Sequence, residues 1–121
     1  MPTQNIVTPE KHIQSACIDY LTMLENKGEL YFFRSQAGAV STVRPNGTTG
    51  YMRTGRPGVP DITVCYLGHF VGLEIKTTSG KQSDHQLQAE RMIEKACGYY
   101  FVIRSVLDLV KNLKNIKNKL G

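Results

Sequence analysis

Two runs rich in β-branched and aromatic residues, "DITVCYL" (61–67) and "HFVGLEIKT" (69–77), meet at Gly68 and carry charges at their far ends. Such runs around a short glycine-containing turn predict an antiparallel hairpin. With a two-residue loop at Leu67-Gly68, Tyr66 faces His69, and counting outward sets Asp61 opposite Glu74. A three-residue loop would shift that pairing. Side chains alternate along a strand, so Phe70, Gly72, Glu74 and Lys76 share one face while Val71, Leu73 and Ile75 share the other. Directly opposed residues have Cβ atoms about 4.5–5.5 Å apart. Asp61, Glu74 and Lys76 therefore converge at the open end of the hairpin, where hydrophobic core is otherwise expected.

Two opposed carboxylates repel each other and cost stability unless something neutralises them. A hard divalent cation does so, and Mg²⁺ prefers one or two protein carboxylates with water and phosphate oxygens completing its shell. The backbone carbonyl of Ile75 offers a further oxygen. A lysine two residues beyond the glutamate can hold or deprotonate the attacking water and stabilise charge on a phosphate. Together these are the parts of metal-assisted phosphodiester hydrolysis. Each half also has a plain structural reading. Pro-Asp before a strand is a common turn element, and Glu-x-Lys is common on an exposed strand face. Only the combination, on one face at this spacing, points to chemistry.

The rest of the chain supplies a frame for that hairpin. "TPEKHIQSACIDYLTMLENKG" predicts a helix with Thr8 as cap, Pro9 at the first helical position and Gly28 as the stop. Ile13, Ala16, Cys17, Tyr20, Leu21 and Leu24 make its apolar stripe, and Glu10 is expected at the N-terminal end of that stripe. "LYFFRS" is a short strand. Residues 36–60 change character, with five glycines, three prolines and Arg44, Arg53 and Arg56. Connections this long within a small domain are usually functional, and Asn46-Gly47 is a hairpin signal. A β-arm carrying substrate-binding arginines is expected here, against the plainer reading of a surface excursion. A second helix is expected from Ser83 to Gly98, its apolar face made of Ala89, Met92, Ile93, Ala96 and Cys97. The strand "YYFVIRS" then leads to a last helix with Val106, Leu109, Val110, Leu113 and Ile116 facing inward, its lysines forming a solvated flank. The order α-β-β-β-α-β-α predicts an α/β sandwich of helices on a mixed sheet, with residues 1–121 as a single domain.

Composition narrows the partners. Fifteen Lys and Arg against ten Asp and Glu give a net charge of +5, which suits a polyanion because basic groups release counterions from phosphates. No apolar run is long enough to span a bilayer, and the N-terminus lacks a secretory pattern. A cytoplasmic protein with no membrane partner is expected. The three cysteines, Cys17, Cys65 and Cys97, contain no C-x-x-C pair and are expected as buried core thiols.

Pro60-Asp61, thirteen residues to Glu74, then Glu74-Ile75-Lys76 resembles the PD-(D/E)xK nuclease superfamily. "GRPGVPDITV", "GLEIKTTSGKQSDHQ" and the early "PEKHIQ" resemble, more narrowly, its virus-type replication-repair nuclease (VRR-NUC) domains in their stand-alone phage or prophage form. The resemblance runs from about Glu10 to the last helix. It implies a restriction-endonuclease-like core in which Asp61 and Glu74 bind Mg²⁺ or Mn²⁺ and Lys76 assists the attacking water, with Glu10, as the family's acidic residue on the first helix, a further expected metal ligand beside the Ile75 carbonyl read above. It also implies a role for Gln86, although Ser83-x-x-Gln86 reads equally as a capping box and Glu10 as a complement to the helix dipole. Asp84 departs from the family, where proline is frequent.

The expectation is a metal-dependent DNA endonuclease, with Arg34, Arg44, Arg53, Arg56, Lys81 and His85 as DNA contacts. The resemblance adds a homodimer, action on branched DNA such as four-way junctions or flaps, and the host-cell cytoplasm for a phage protein. A non-catalytic nucleic-acid-binding module on the same fold, a restriction-type endonuclease reading a short sequence, and a scaffold protein are the rivals. His12 and His69 show no ligand spacing.

Overall fold

The computed structural model describes residues 8–35, 39–53 and 56–120. Along the chain they form α1 (Glu10–Asn26), β1 (Leu30–Arg34), β2 (Ala39–Val43), β3 (Thr49–Arg53), β4 (Ile62–Tyr66), β5 (His69–Ile75), α2 (Asp84–Lys95), β6 (Tyr99–Ile103) and α3 (Val106–Leu120). The expected α-β-β-β-α-β-α core is present, and the segment between β1 and β4 adds a hairpin of its own, β2–β3.

The helix α1 begins at Glu10 because Pro9 keeps an extended ψ of 146° and serves as the cap residue; no side chain, Thr8 included, caps the helix. The Pro9 carbonyl instead receives the N–H groups of His12 and Ile13. At the other end Gly28 takes φ +76°. This lets its N–H reach the Glu25 carbonyl while Glu29 N–H reaches the Leu24 carbonyl, satisfying carbonyls that the end of a helix leaves without partners. Ile13, Cys17, Leu21 and Leu24 are buried, each large aliphatic side chain contributing about 1.5–3 kcal/mol.

Four strands make a mixed sheet in the order β1-β4-β5-β6. The pairs β1–β4 and β4–β5 are antiparallel, and β5–β6 is parallel across the α2 crossover. The hairpin register is the expected one, with Tyr66 opposite His69 and Ile62 opposite Leu73. Leu67 and Gly68 both have positive φ, 53° and 80°, as a two-residue hairpin turn with the right-handed twist of its strands requires. One face of the sheet, with Val64, Val71, Leu73, Ile75 and Ile103, packs on α1 and on Leu109, Leu113 and Ile116 of α3 to form the core. The opposite face carries Phe70, Gly72 and Glu74 on β5 and Tyr100 on β6, and α2 packs there against β6.

Two expectations about burial fail on that second face. Gln86 is the one buried residue of α2. Ala89 and Ile93 are half-buried, whereas Met92, Ala96 and Cys97 are exposed. The stripe is apolar, but α2 does not seal it against the sheet, so it looks onto a cleft. Of the cysteines only Cys17 is buried; Cys65 and Cys97 are exposed. Cys65 lies on the open face of β4, and Cys97 sits past the end of α2 with φ +70°.

The arm expected in residues 36–60 is the antiparallel pair β2–β3, Val43 facing Thr49. Its loop is closed by Arg44 N–H to the Thr48 carbonyl and Gly47 N–H to the Arg44 carbonyl. The Asn46 side chain accepts from the Thr48 N–H and hydroxyl. No described helix is long and apolar enough to cross a membrane.

Candidate active site

Asp61 stands one step beyond the last β4 pair, so the ladder register carries it opposite Glu74. Its backbone is held from the β1 side, where Ser35 N–H donates to the Asp61 carbonyl at 2.9 Å and the Ser35 hydroxyl donates to the Pro60 carbonyl at 2.7 Å. Its carboxylate is held from the β5 side, where Oδ2 accepts the Ile75 N–H at 2.7 Å. In an extended strand the N–H and C=O of a residue point to the same neighbour, which turns the Ile75 carbonyl toward Asp61 as well.

Glu74 is 2% exposed. Oε1 accepts from Gln86 Nε2 at 2.8 Å, and Oε2 accepts from the Tyr100 hydroxyl at 3.3 Å. Gln86 forms the capping box that the sequence offered and also reaches the Glu74 carboxylate. Its Oε1 accepts the Ser83 N–H and its own N–H donates to Ser83 Oγ, completing the capping box of α2. Its Nε2 is thereby aimed at the carboxylate. An amide has an acceptor end and a donor end, so capping fixes the rotamer that the contact needs.

Tyr100 is a member of this site that the sequence did not single out. It lies opposite Gly72 in the β5–β6 ladder. A Cβ on Gly72 would come within 2.5 Å of Pro60 Cγ and 3.5 Å of the Tyr100 ring, so the missing side chain lets Pro60 and Tyr100 close in beside Glu74. The available signal was parity, since Tyr100 and Val102 must share the Glu74 face if Phe101 and Ile103 face the core.

The electrostatics follow from this packing. Burial, then the Asp61 charge and the hydrogen bond to Asp61, push the Glu74 carboxyl up to about 8, against the opposing pull of Lys76 and the Tyr100 hydroxyl. Burial and the Glu74 charge likewise raise the Tyr100 phenol. Two acceptor groups pressed together in this way share a proton or take up a cation.

Lys76 is half-buried and follows Glu74 by two residues on the same face. Its N–H donates to the Ile103 carbonyl, and its stem runs beside Gly80, where a Cβ would lie 3.4 Å from Lys76 Cβ and Cδ. The turn that carries Gly80 is gathered by one guanidinium. Arg104 Nη1 donates to the carbonyls of Thr77, Thr78 and Gly80.

The remaining expected residues lie further out. Glu10 is exposed in the first turn of α1 and not on the buried stripe, which begins at Ile13. Among the described residues no three His, Cys, Asp or Glu side chains form a group that could hold a metal ion, so Glu10 does not complete a three-acid cluster with Asp61 and Glu74. Arg34 ends β1, exposed and paired in register with Ile62. Arg44 folds back over Gly50, where a Cβ would meet its guanidinium at 2.8 Å. Arg53 ends β3, and its side chain lies outside the described residues. Lys81 and His85 are exposed before and within the first turn of α2, and exposed Arg56 rests its Nη2 3.7 Å from Met92 Sδ. Thus Asp61, Glu74, Lys76, Ile75 and Gln86 come together, while Arg34, Arg44, Arg56, Lys81 and His85 are exposed outside that group. The acid pair with a backbone carbonyl fits a hard cation such as Mg²⁺, which needs few protein oxygens.

No family model and no curated protein matches the sequence. Among solved structures the chain is similar to a VRR_NUC domain, with a TM-score of 0.58 and 19% sequence identity over 90% of this chain and 94% of that one. At this identity the likeness concerns the fold. The mixed four-strand sheet with its flanking helices is a VRR-NUC-type, restriction-endonuclease-like fold.

Proposed function

We propose that the protein is a metal-dependent endodeoxyribonuclease whose reaction centre is Asp61, Glu74 and Lys76. The observation that carries this reading is the opposition of Asp61 to a buried, charge-stressed Glu74, on a fold shared with a VRR_NUC domain. Mg²⁺ or Mn²⁺ held by Asp61, Glu74 and the Ile75 carbonyl would activate water and neutralise charge on the phosphate; Glu10 is the further acid that the VRR-NUC resemblance implies. Gln86 and Tyr100 hold the Glu74 carboxylate so that it faces Asp61. Lys76 would lie beside the scissile phosphate, where its Nζ takes a proton from the attacking water as a neutral amine, or orients that water and stabilises charge on the phosphate oxygens as an ammonium.

DNA as substrate is supported by the net positive charge and by exposed Arg56 at the cleft beside the site. Selectivity for branched DNA, as a homodimer, is supported by the VRR-NUC resemblance. The test is cleavage of labelled linear duplex, flap and four-way-junction DNA by the parent protein and by Lys76→Ala. The variant is expected to lose cutting by about 10²-fold or more while binding DNA as before. A variant that cuts at the parental rate would remove Lys76 from the mechanism, and equal cutting of all three DNAs would remove structure selectivity.

A further inference from the structure

Beside the carboxylates a cleft of about 450 Å³ opens between α2 and the second face of the sheet. Its walls are mostly apolar: Pro57, Val59 and Pro60 from the segment before β4, Phe70 from β5, and Ala89, Met92 and Ile93 from α2. Phe70 and Met92 are 45% and 48% exposed, a considerable apolar area to leave in water. Two lining hydroxyls are already engaged, since the Thr63 hydroxyl donates to Ser35 Oγ and Ser35 in turn donates to the Pro60 carbonyl, and exposed Gln88 adds an amide to the lining. Cationic or titratable groups occur at the rim, namely Arg56 and His85.

The cleft is built, and its position is tied to the reaction centre at two points. Pro60 adjoins Asp61, and His85 adjoins Gln86. The segment before β4 is clamped against α2 at Gly58, which has φ +79° and where a Cβ would lie 2.2 Å from the His85 carbonyl oxygen. Only glycine fits there, so the cleft mouth and the start of α2 are held in fixed relation. Along β5, Phe70 and Glu74 are four residues apart on one face, roughly 13 Å at the rise of a strand. That is the reach of a nucleotide or two.

We propose that this cleft is a nucleobase subsite, which receives an unstacked base from a nucleotide flanking the phosphate bound at Asp61 and Glu74. The proposal rests on the nuclease reading above and deepens it. A base offers flat apolar faces to Phe70 and the α2 side chains, and the phosphates joined to it carry the charge that Arg56 and His85 complement. Aromatic and guanidinium planes are the surfaces on which unpaired bases stack. A flap presents unpaired bases at its branch, and a four-way junction interrupts stacking at its crossover, so a base there costs less to unstack than one within a duplex, and the subsite would also supply selectivity that contacts to phosphate alone do not.

The experiment measures the equilibrium Kd for flap and junction DNA in EDTA, where binding is read without cutting, and kcat/KM in Mg²⁺ or Mn²⁺. Single abasic nucleotides are walked across the positions flanking the cleavage site, with the parent protein and with Phe70→Ala. Phe70 is half in solvent, and thermal melting checks that the variant folds. At one position the missing base is expected to weaken binding by about tenfold. Phe70→Ala should weaken intact DNA similarly, and the two effects should not add, because they remove the same stacking pair. Additive effects, or binding indifferent to every abasic position while cutting proceeds, would overturn the subsite and leave the nuclease reading intact. A Phe70→Ala protein that keeps its DNA affinity but changes its sedimentation would assign the cleft to a second copy of the chain instead. DNA neither bound nor cut under any metal would overturn both readings.

Discussion

At Glu74 a buried carboxyl lies against a second carboxylate, and this couples proton uptake to folding. The folded-state value of about 8 lies above the roughly 4.3 of an unfolded chain. The folded protein therefore binds this proton more tightly, and the associated stability is fully present below about pH 4 and is lost as pH rises through about 8. In EDTA the parent protein should lose stability from pH 5 to pH 8.5. Glu74→Gln, which cannot ionise, should escape this loss and gain roughly 3–5 kcal/mol relative to the parent over that interval. Urea melts at the two pH values check it. A gap that does not widen with pH would mean that Glu74 is not under this stress. Mg²⁺ should narrow the gap by stabilising the ionised parent.

The elements around the site fix side chains through contacts remote from the chemistry. Arg104 is the clearest case, because one guanidinium nitrogen collects three carbonyls of the turn that follows Lys76. Arg104→Ala is expected to lower kcat by about tenfold or more through a misplaced Lys76, with DNA affinity in EDTA unchanged within about twofold. Arg104→Lys should recover part of the rate, since its ammonium can donate to the same carbonyls but sits on a shorter stem. A fall in DNA affinity with kcat preserved would make Arg104 a DNA-binding residue rather than a positioning residue. The hairpin register was legible in the sequence because a two-residue turn with a glycine leaves one pairing, and side-chain alternation then places every face. The capping box was legible for the same local reason. The state of α2 was not. Periodicity tells which face of a helix is apolar, but not whether anything covers it, and so Met92 and Cys97 were expected inside. Tyr100 was hidden in an aromatic run whose two faces are both hydrophobic in appearance. Its role depends on the β5–β6 register and on the absent side chain of Gly72, neither of which is a local property of "YYFVI".

Across the whole molecule, a sheet packed on one face by α1 and α3 and only partly covered on the other by α2 leaves the acid pair at the edge of an open surface. Exposed Arg56 and His85 line the cleft on that face, and exposed Arg34 and Lys81 stand at the end of β1 and before α2. Replacing Arg53 and Arg56 together by Glu should weaken DNA binding for all sequences alike. It should also flatten the slope of log K against log salt by about 1 for each phosphate that is no longer neutralised. An unchanged slope, measured by titration across a range of salt concentrations, would make the arm a bystander. The cation site, by contrast, should be indifferent to those reversals.

Whether Asp61 and Glu74 hold a catalytic metal is decided by cleavage of labelled branched DNA by the parent protein and by Asp61→Asn and Glu74→Ala, each in Mg²⁺, Mn²⁺ and EDTA. The parent is expected to cut with either metal and not in EDTA, and neither variant to cut although both still bind the DNA. Cutting that survives in EDTA, or in both variants, would contradict that role.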